Sequence, residues 1–229
     1  MSTVASTRLA ATLGLLSVIV SYVGLSIHGY PARGESGREI LHWAATTNQQ
    51  RFGIGIYTEA LGGLLFLPFA AWLCTVARGA DEGFGWLATA GFGAAALYVG
   101  ISIADNGVWS SLLDGARHGT SPQTLASIRD IAEYVFHGTL LFGGTFFVLT
   151  GYVSFRARAL PRWIGGSAVV IGLGLLIPSL AIIVSLLVWV WTVLVSLYLL
   201  VRPRAVATVR EPSAAVSPGP PRPARARGR

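Results

Sequence analysis

From Trp163 to Val201 the chain runs for 39 residues without a charged side chain. A helix that crosses a bilayer needs about 20 mostly apolar residues, so this block alone holds enough chain for two crossings. Four earlier runs of the same character cover about 9–29, 52–77, 84–104 and 131–155. In hydrocarbon every backbone polar group must be satisfied inside the protein, so runs of this kind fold as helices. Pro178-Ser179 interrupts the long block, and proline removes a backbone donor and crowds the preceding turn. That splits the block into spans of about 163–179 and 182–201, a kinked helix with a re-entrant piece being the alternative. The expectation is an all-α, polytopic transmembrane helix bundle of six spans.

Composition agrees. The 229 residues are 53% hydrophobic and 12% charged, with a mean hydropathy of +0.61. Ordinary soluble domains are about 25% charged. All 17 basic residues are arginine. Without lysine there is no retinal or pyridoxal-phosphate Schiff base and no phosphate-loop ATPase. The lone Cys74 allows no internal disulfide and no cysteine-rich metal cage. The bias to Arg, Ala and Gly points to a GC-rich bacterial genome and so to a bacterial plasma membrane. The first run is long for a signal-peptide core, and no small-residue cleavage site precedes His28-Gly-Tyr-Pro31, so a retained anchor is expected.

Six spans put both termini on one side. That side would carry Arg8, Arg78, Arg156, Arg158, Arg162 and the seven arginines from Arg202 to Arg229. The opposite side would carry Arg33, Arg38, Arg51, Arg117 and Arg129. Positive charge accumulates on cytoplasmic flanks, so both termini are expected in the cytoplasm. The Pro-, Ala- and Arg-rich segment 202–229 lacks the apolar area to offset its ordering entropy and reads as a disordered basic tail. It suits anionic lipid at about 1 kcal/mol per arginine near the surface. It lacks aromatic residues for base stacking, so no nucleic-acid partner is expected. The lipid bilayer is the principal partner, and a body this small is compatible with a homodimer.

The two loops on the outer side are long. Ser121-Pro122 reads as a cap followed by proline at the first helical position, so the fourth helix is expected to begin well before its apolar span. Val108, Trp109, Leu112, Leu113 and Ala116 form a short amphipathic pattern, read as an interfacial helix on the outer surface.

Polar residues segregate toward that same side. His28 closes the first span, Glu59 lies two turns into the second, Tyr98 and Asp105 lie near the end of the third, and Asp130, Glu133 and His137 begin the fourth. Ionisable groups inside spans are costly and usually face the bundle or a water-filled cavity. Three readings stay open. Glu59, Glu133 and His137, with His28 or Asp105, have the chemistry to bind zinc, iron or manganese for metal-assisted hydrolysis, although no paired-histidine signature is present. The seven residues also suit an outward-facing polar pocket in a small sensing or solute-transport module, since histidine titrates near neutral pH. Or they are hydrogen bonds and ion pairs that fix helix packing, in a protein that serves as the structural partner of a membrane complex. Haem ligation lacks facing histidines at matched depth. No resident cofactor is expected beyond the divalent metal of the first reading.

Glycines at 62–63, 143–144 and 165–166, and the pairs Ala90 with Ala94, Gly91 with Ala95 and Ala168 with Gly172, read as close helix contacts. Ser110 and Ser111 lack a nucleophile elbow, and Cys74 reads as apolar filling. The segment Tyr57-Thr-Glu-Ala-Leu-Gly-Gly63, the Phe-rich fourth span and the junction Leu160-Pro-Arg-Trp-Ile-Gly-Gly166 resemble a family of uncharacterised bacterial six-helix membrane proteins, grouped as a domain of unknown function. The resemblance implies six helices over about residues 8 to 200 and brings no activity with it. Relatives often carry a charge in the third span, where this chain has none before Asp105. Reporter fusions after Ala77, Asp105 and Val201 test the topology: cytoplasmic, external and cytoplasmic signals are expected, and an external C-terminus would overturn the count of six.

Overall fold

The computed structural model describes residues 3–31, 36–81 and 83–204. The fold is all-α. Its helices are α1 (Thr3–His28), α2 (Gly37–Thr46), α3 (Gln49–Ala80), α4 (Gly85–Arg117), α5 (Pro122–Arg156), α6 (Arg162–Leu175) and α7 (Pro178–Val201). Among the described residues five helices are long and apolar enough to cross a membrane: α1, α3, α4, α5 and α7. The 14-residue α6 is apolar but spans only about 21 Å at 1.5 Å per residue.

Facing residues establish that α1, α3, α4, α5, α6 and α7 form a closed antiparallel ring. Gly24 lies against Glu59 and Gly62 against Ser21, which pairs α1 with α3. Gly63 meets Val99 from α4, and Gly91 on α4 meets Thr150 from α5. Gly144 lies against Gly172, which pairs α5 with α6. Trp191 Nε1 donates to Ser167 Oγ across α6 and α7 (3.0 Å), and Trp163 packs edge-on to Tyr198. The ring closes where Gly14 meets Ser196 and Tyr22 packs on Trp189, joining α7 to α1. Val4 and Arg8 consequently share a groove with Val201 to Arg204, so the two ends of the described chain emerge side by side.

Backbone approach decides the tightest of these pairings. A Cβ at Gly24 would overlap the Glu59 backbone, and one at Gly62 would overlap Ser21. Small residues of this kind drive helix association in lipid, where burial of apolar surface gives little net gain. Aromatic side chains fill the interior below: Phe66, Phe69, Phe146, Phe147 and Trp191 are buried and pack in tilted or edge-to-face pairs. Cys74 belongs to this packing, with its Sγ 3.4 Å from Thr150 Oγ1. The stripe Ile183, Leu186, Leu187, Val190, Leu194 and Leu197 on α7 faces outward, as a lipid-facing surface requires.

The expected elements depart from the observed ones at the end remote from the termini. The third span does not stop at 104. The helix α4 continues to Arg117, and the stretch read as a separate interfacial helix is its last three turns. The amphipathic pattern is real but serves packing: Leu112 and Leu113 are buried with Ile40 and Ala44 of α2, Phe52 and Ile56 of α3, and Leu125 of α5. Helix α2 itself went unread, although Ser36 and Glu39 form a capping box at its start. Arg117 then closes the cap. Its guanidinium donates to Gln49 Oε1 (2.9 Å) and to the carbonyls of Thr47 and Ala44, at the negative end of the α2 dipole. The fourth helix starts at Pro122 behind Ser121, whose hydroxyl accepts from Thr124 N–H (3.3 Å), as the cap signal indicates. Pro178 opens α7, and α6 ends at Leu175 rather than near 179. From residue 205 on, the basic tail lies outside the described residues.

Replacing Gly24 with valine should force α1 away from α3. An overpacked contact costs about 1–3 kcal/mol, to be read as a lower melting temperature in detergent. Gly93, whose Cβ position is open, should accept alanine without loss.

Candidate functional site: a polar cavity inside the helix ring

Just below the cap, the ring encloses a cavity of about 250 Å³. Helix α4 supplies most of its polar wall. Tyr98, Ser102, Asp105 and Asn106 recur at helical spacing and share one face. Glu59 from α3 and Tyr30, just past α1, complete that wall. The opposite side is apolar, formed chiefly by Phe136, Leu140 and Phe147 of α5 with Val188 and Trp189 of α7. Among the described residues no arginine lines the cavity.

A hydrogen-bond network holds Glu59. His28 Nε2 lies 2.8 Å from Glu59 Oε2, and Tyr30 Oη lies 3.0 Å from the same oxygen and 2.8 Å from Asn106 Oδ1. A phenol has one proton to give, and Glu59 as carboxylate can only accept. With the Asn106 amide turned to present its NH₂ to the phenol oxygen, the chain of donation runs from Asn106 to Tyr30 to Glu59. Burial, and next the charge of Glu59, hold the Tyr30 phenol above its ordinary range, so it stays a donor at physiological pH. The His28 side chain is fully buried against the rings of Tyr30 and Phe52, and its Nδ1 has no hydrogen-bond partner among the described residues. Nε2 is the ring nitrogen directed at Glu59, and it donates to the carboxylate.

Local packing explains why these side chains meet. Gly55 leaves the space that the His28 ring occupies: a Cβ there would lie 2.7 Å from the imidazole. Gly24 brings the backbone of α1 onto Glu59 itself. Gly143 makes room for Tyr98, whose ring would lie 2.9 Å from a Cβ at that position. Gly143, read from the sequence as a packing device, thus shapes the cavity together with Gly24 and Gly55.

Of the seven residues anticipated from the sequence, His28, Glu59, Tyr98 and Asp105 are brought together. Asp130, Glu133 and His137 are not. The inward face of α5 at that depth is Ala132, Phe136, Thr139 and Leu140, and Glu133 and His137 sit one residue on, about 100° round the helix. His137 is exposed with Nδ1 2.6 Å from the Glu133 carbonyl oxygen. Arg129 pairs with Asp130 and lies 3.8 Å from Glu133. The metal trio of Glu59, Glu133 and His137 does not assemble, and among the described residues no three His, Cys, Asp or Glu side chains group as metal ligands would.

Against models of protein families, residues 12–202 match the domain of unknown function DUF4386. The chain belongs to that family. Comparison with curated proteins and with solved structures gives no match. The DUF4386 match takes in every residue of the cavity wall, from Leu25 to Trp189. Within this DUF4386 chain, sequence reasoning missed Tyr30, Ser102 and Asn106. A signal existed for two of them: Ser102 and Asn106 fall on the stripe that Tyr98 and Asp105 define, whereas Tyr30 is placed by the turn after α1. Tyr30→Phe should leave Glu59 and Asn106 each short of a partner, at a cost of about 1–3 kcal/mol. Chemical denaturation in detergent would measure it, with Tyr57→Phe, on the exposed face of α3, expected to be silent.

Proposed function

We propose that this DUF4386 protein is a small sensing or solute-transport module of the bacterial plasma membrane, with six crossings, both termini in the cytoplasm and its polar cavity open to the outside. The observation that carries the reading is the cavity itself. It places a carboxyl group, held by His28 and Tyr30, against space for a ligand inside a helix ring. A bundle that used these groups only to pack would have no need to leave such space, because interiors otherwise close to crystal-like density.

Charge distribution supports the orientation. Among the described residues, Arg8, Arg78, Arg156, Arg158, Arg162, Arg202 and Arg204 lie at the terminal end of the ring. Arg38, Arg51, Arg117 and Arg129 lie at the cap end. The excess at the terminal end fits a cytoplasmic face, which turns the cap and the cavity mouth outward. The antiparallel alternation of α5, α6 and α7 supports a sixth crossing, with the bilayer thinning locally or flanking residues adapting around the short α6.

The reading is tested by labelling intact cells. Ser102→Cys in a Cys74→Ser background should react with a membrane-impermeant trimethylammonium methanethiosulfonate reagent, while Gly93→Cys on the outer surface of α4 should not. A Ser102→Cys thiol that reacts only after the cells are opened, or not at all, would overturn the outward-facing cavity.

A further inference from the structure

We propose that the cavity takes an organic cation, a protonated amine attached to an apolar chain, and that this ligand arrives from the bilayer between α1 and α7. The proposal rests on the cavity being a binding site, as argued above, and adds what it binds and by which route.

The charge of the wall selects the head group. Among the described residues two carboxyl groups, Glu59 and Asp105, line the space, and no arginine does. Among the described residues of the network the one basic side chain is His28, and Glu59 already holds it. An anionic ligand would meet like charge with no compensating cation among the described lining residues, in surroundings where Coulomb energies are several times those in water. An ammonium group would find acceptors in Glu59, Asp105 and Ser102, and ring faces in Tyr98 and Trp189 to stabilise it further. The apolar part of the wall (Phe136, Leu140, Phe147 and Val188) suits a hydrocarbon tail.

The seam between α1 and α7 gives the route. Leu25 of α1 and Leu186 of α7 both line the cavity. Leu186 lies one turn from Trp189, which packs on Tyr22 of α1, so it borders α1, and it is also 61% exposed on the lipid-facing stripe. The cavity therefore reaches the side of the bundle between α1 and α7, where an amphiphile lying in the bilayer can insert its head first.

The test uses the full-length Cys74→Ser, Ser102→Cys protein in lipid nanodiscs and follows the rate of labelling by the trimethylammonium reagent. Octylamine should slow labelling at least tenfold at a concentration where octanol has no effect. Asp105→Asn should abolish that difference, and Glu59→Gln provides the same test if Asp105→Asn is poorly folded. Leu186→Trp should delay protection by octylamine. Equal protection by octylamine and octanol, or by neither, would overturn the cationic ligand while leaving the cavity reading intact. Ethylamine protecting as well as octylamine would overturn entry from the bilayer and point to a water-borne amine. A Ser102→Cys thiol that never reacts would sink the cavity reading, and this proposal with it.

Discussion

The contact between α1 and α3 at Gly24, Gly55 and Gly62 is the constraint on which the rest of the molecule depends. In lipid, two helices gain little from covering apolar surface, so what binds them is close van der Waals approach and polar bonds that water cannot replace. The three glycines provide the approach. The polar bond then follows from the geometry, because helices this close bring His28 within 2.8 Å of Glu59. Removing either feature weakens the other: a bulkier α1–α3 contact lengthens the histidine–glutamate distance, and a Glu59 without His28 is a charge at membrane depth with only Tyr30 left to donate to it.

The ring inherits its shape from that pair. Once α3 is fixed on α1, Gly63 seats α4, and each later helix is laid antiparallel on the one before until α7 returns to α1. The closing contacts, Gly14 on Ser196 and Tyr22 on Trp189, hold the far end of the chain beside its start. The aromatic packing lower in the bundle leaves little room, whereas near the cap the wall becomes Tyr, Ser, Asp and Asn and the helices stand off from one another. The cavity sits where hydrocarbon packing gives way to hydrogen bonding.

Much of this was legible in the sequence because the bilayer simplifies the code. Length and hydropathy locate α1, α3, α4, α5 and α7, and the depth of His28, Glu59, Tyr98 and Asp105 follows from alternating direction. What depth alone does not supply is azimuth. Asp130, Glu133 and His137 lie toward the same end as the cavity, but the face that α5 turns inward is set by Gly144 and Gly151 docking on α6, a tertiary fact. The same gap explains the cap. Leu112 and Leu113 form an amphipathic pattern whether their apolar side meets lipid or protein, and only the presence of α2 decides between the two. That helix is short and polar by membrane standards, so a search for long apolar runs passes over it, although its capping box was there to be read. Tyr30 is the hardest case, being placed by a turn rather than by any periodicity.

The continuity of α4 has a mechanical meaning. One unbroken helix carries Tyr98, Ser102, Asp105 and Asn106 in the cavity wall and, 12 residues beyond Asp105, Arg117 on the carbonyls that end α2. That segment is about 18 Å long. A tilt of about 5° pivoting at Asp105 swings the guanidinium by about 1.6 Å, which is enough to break a hydrogen bond to Gln49 or Thr47. The cavity wall and the α2 cap thus share one lever, and any tilt of α4 at the first is a displacement at the second with no loop between them.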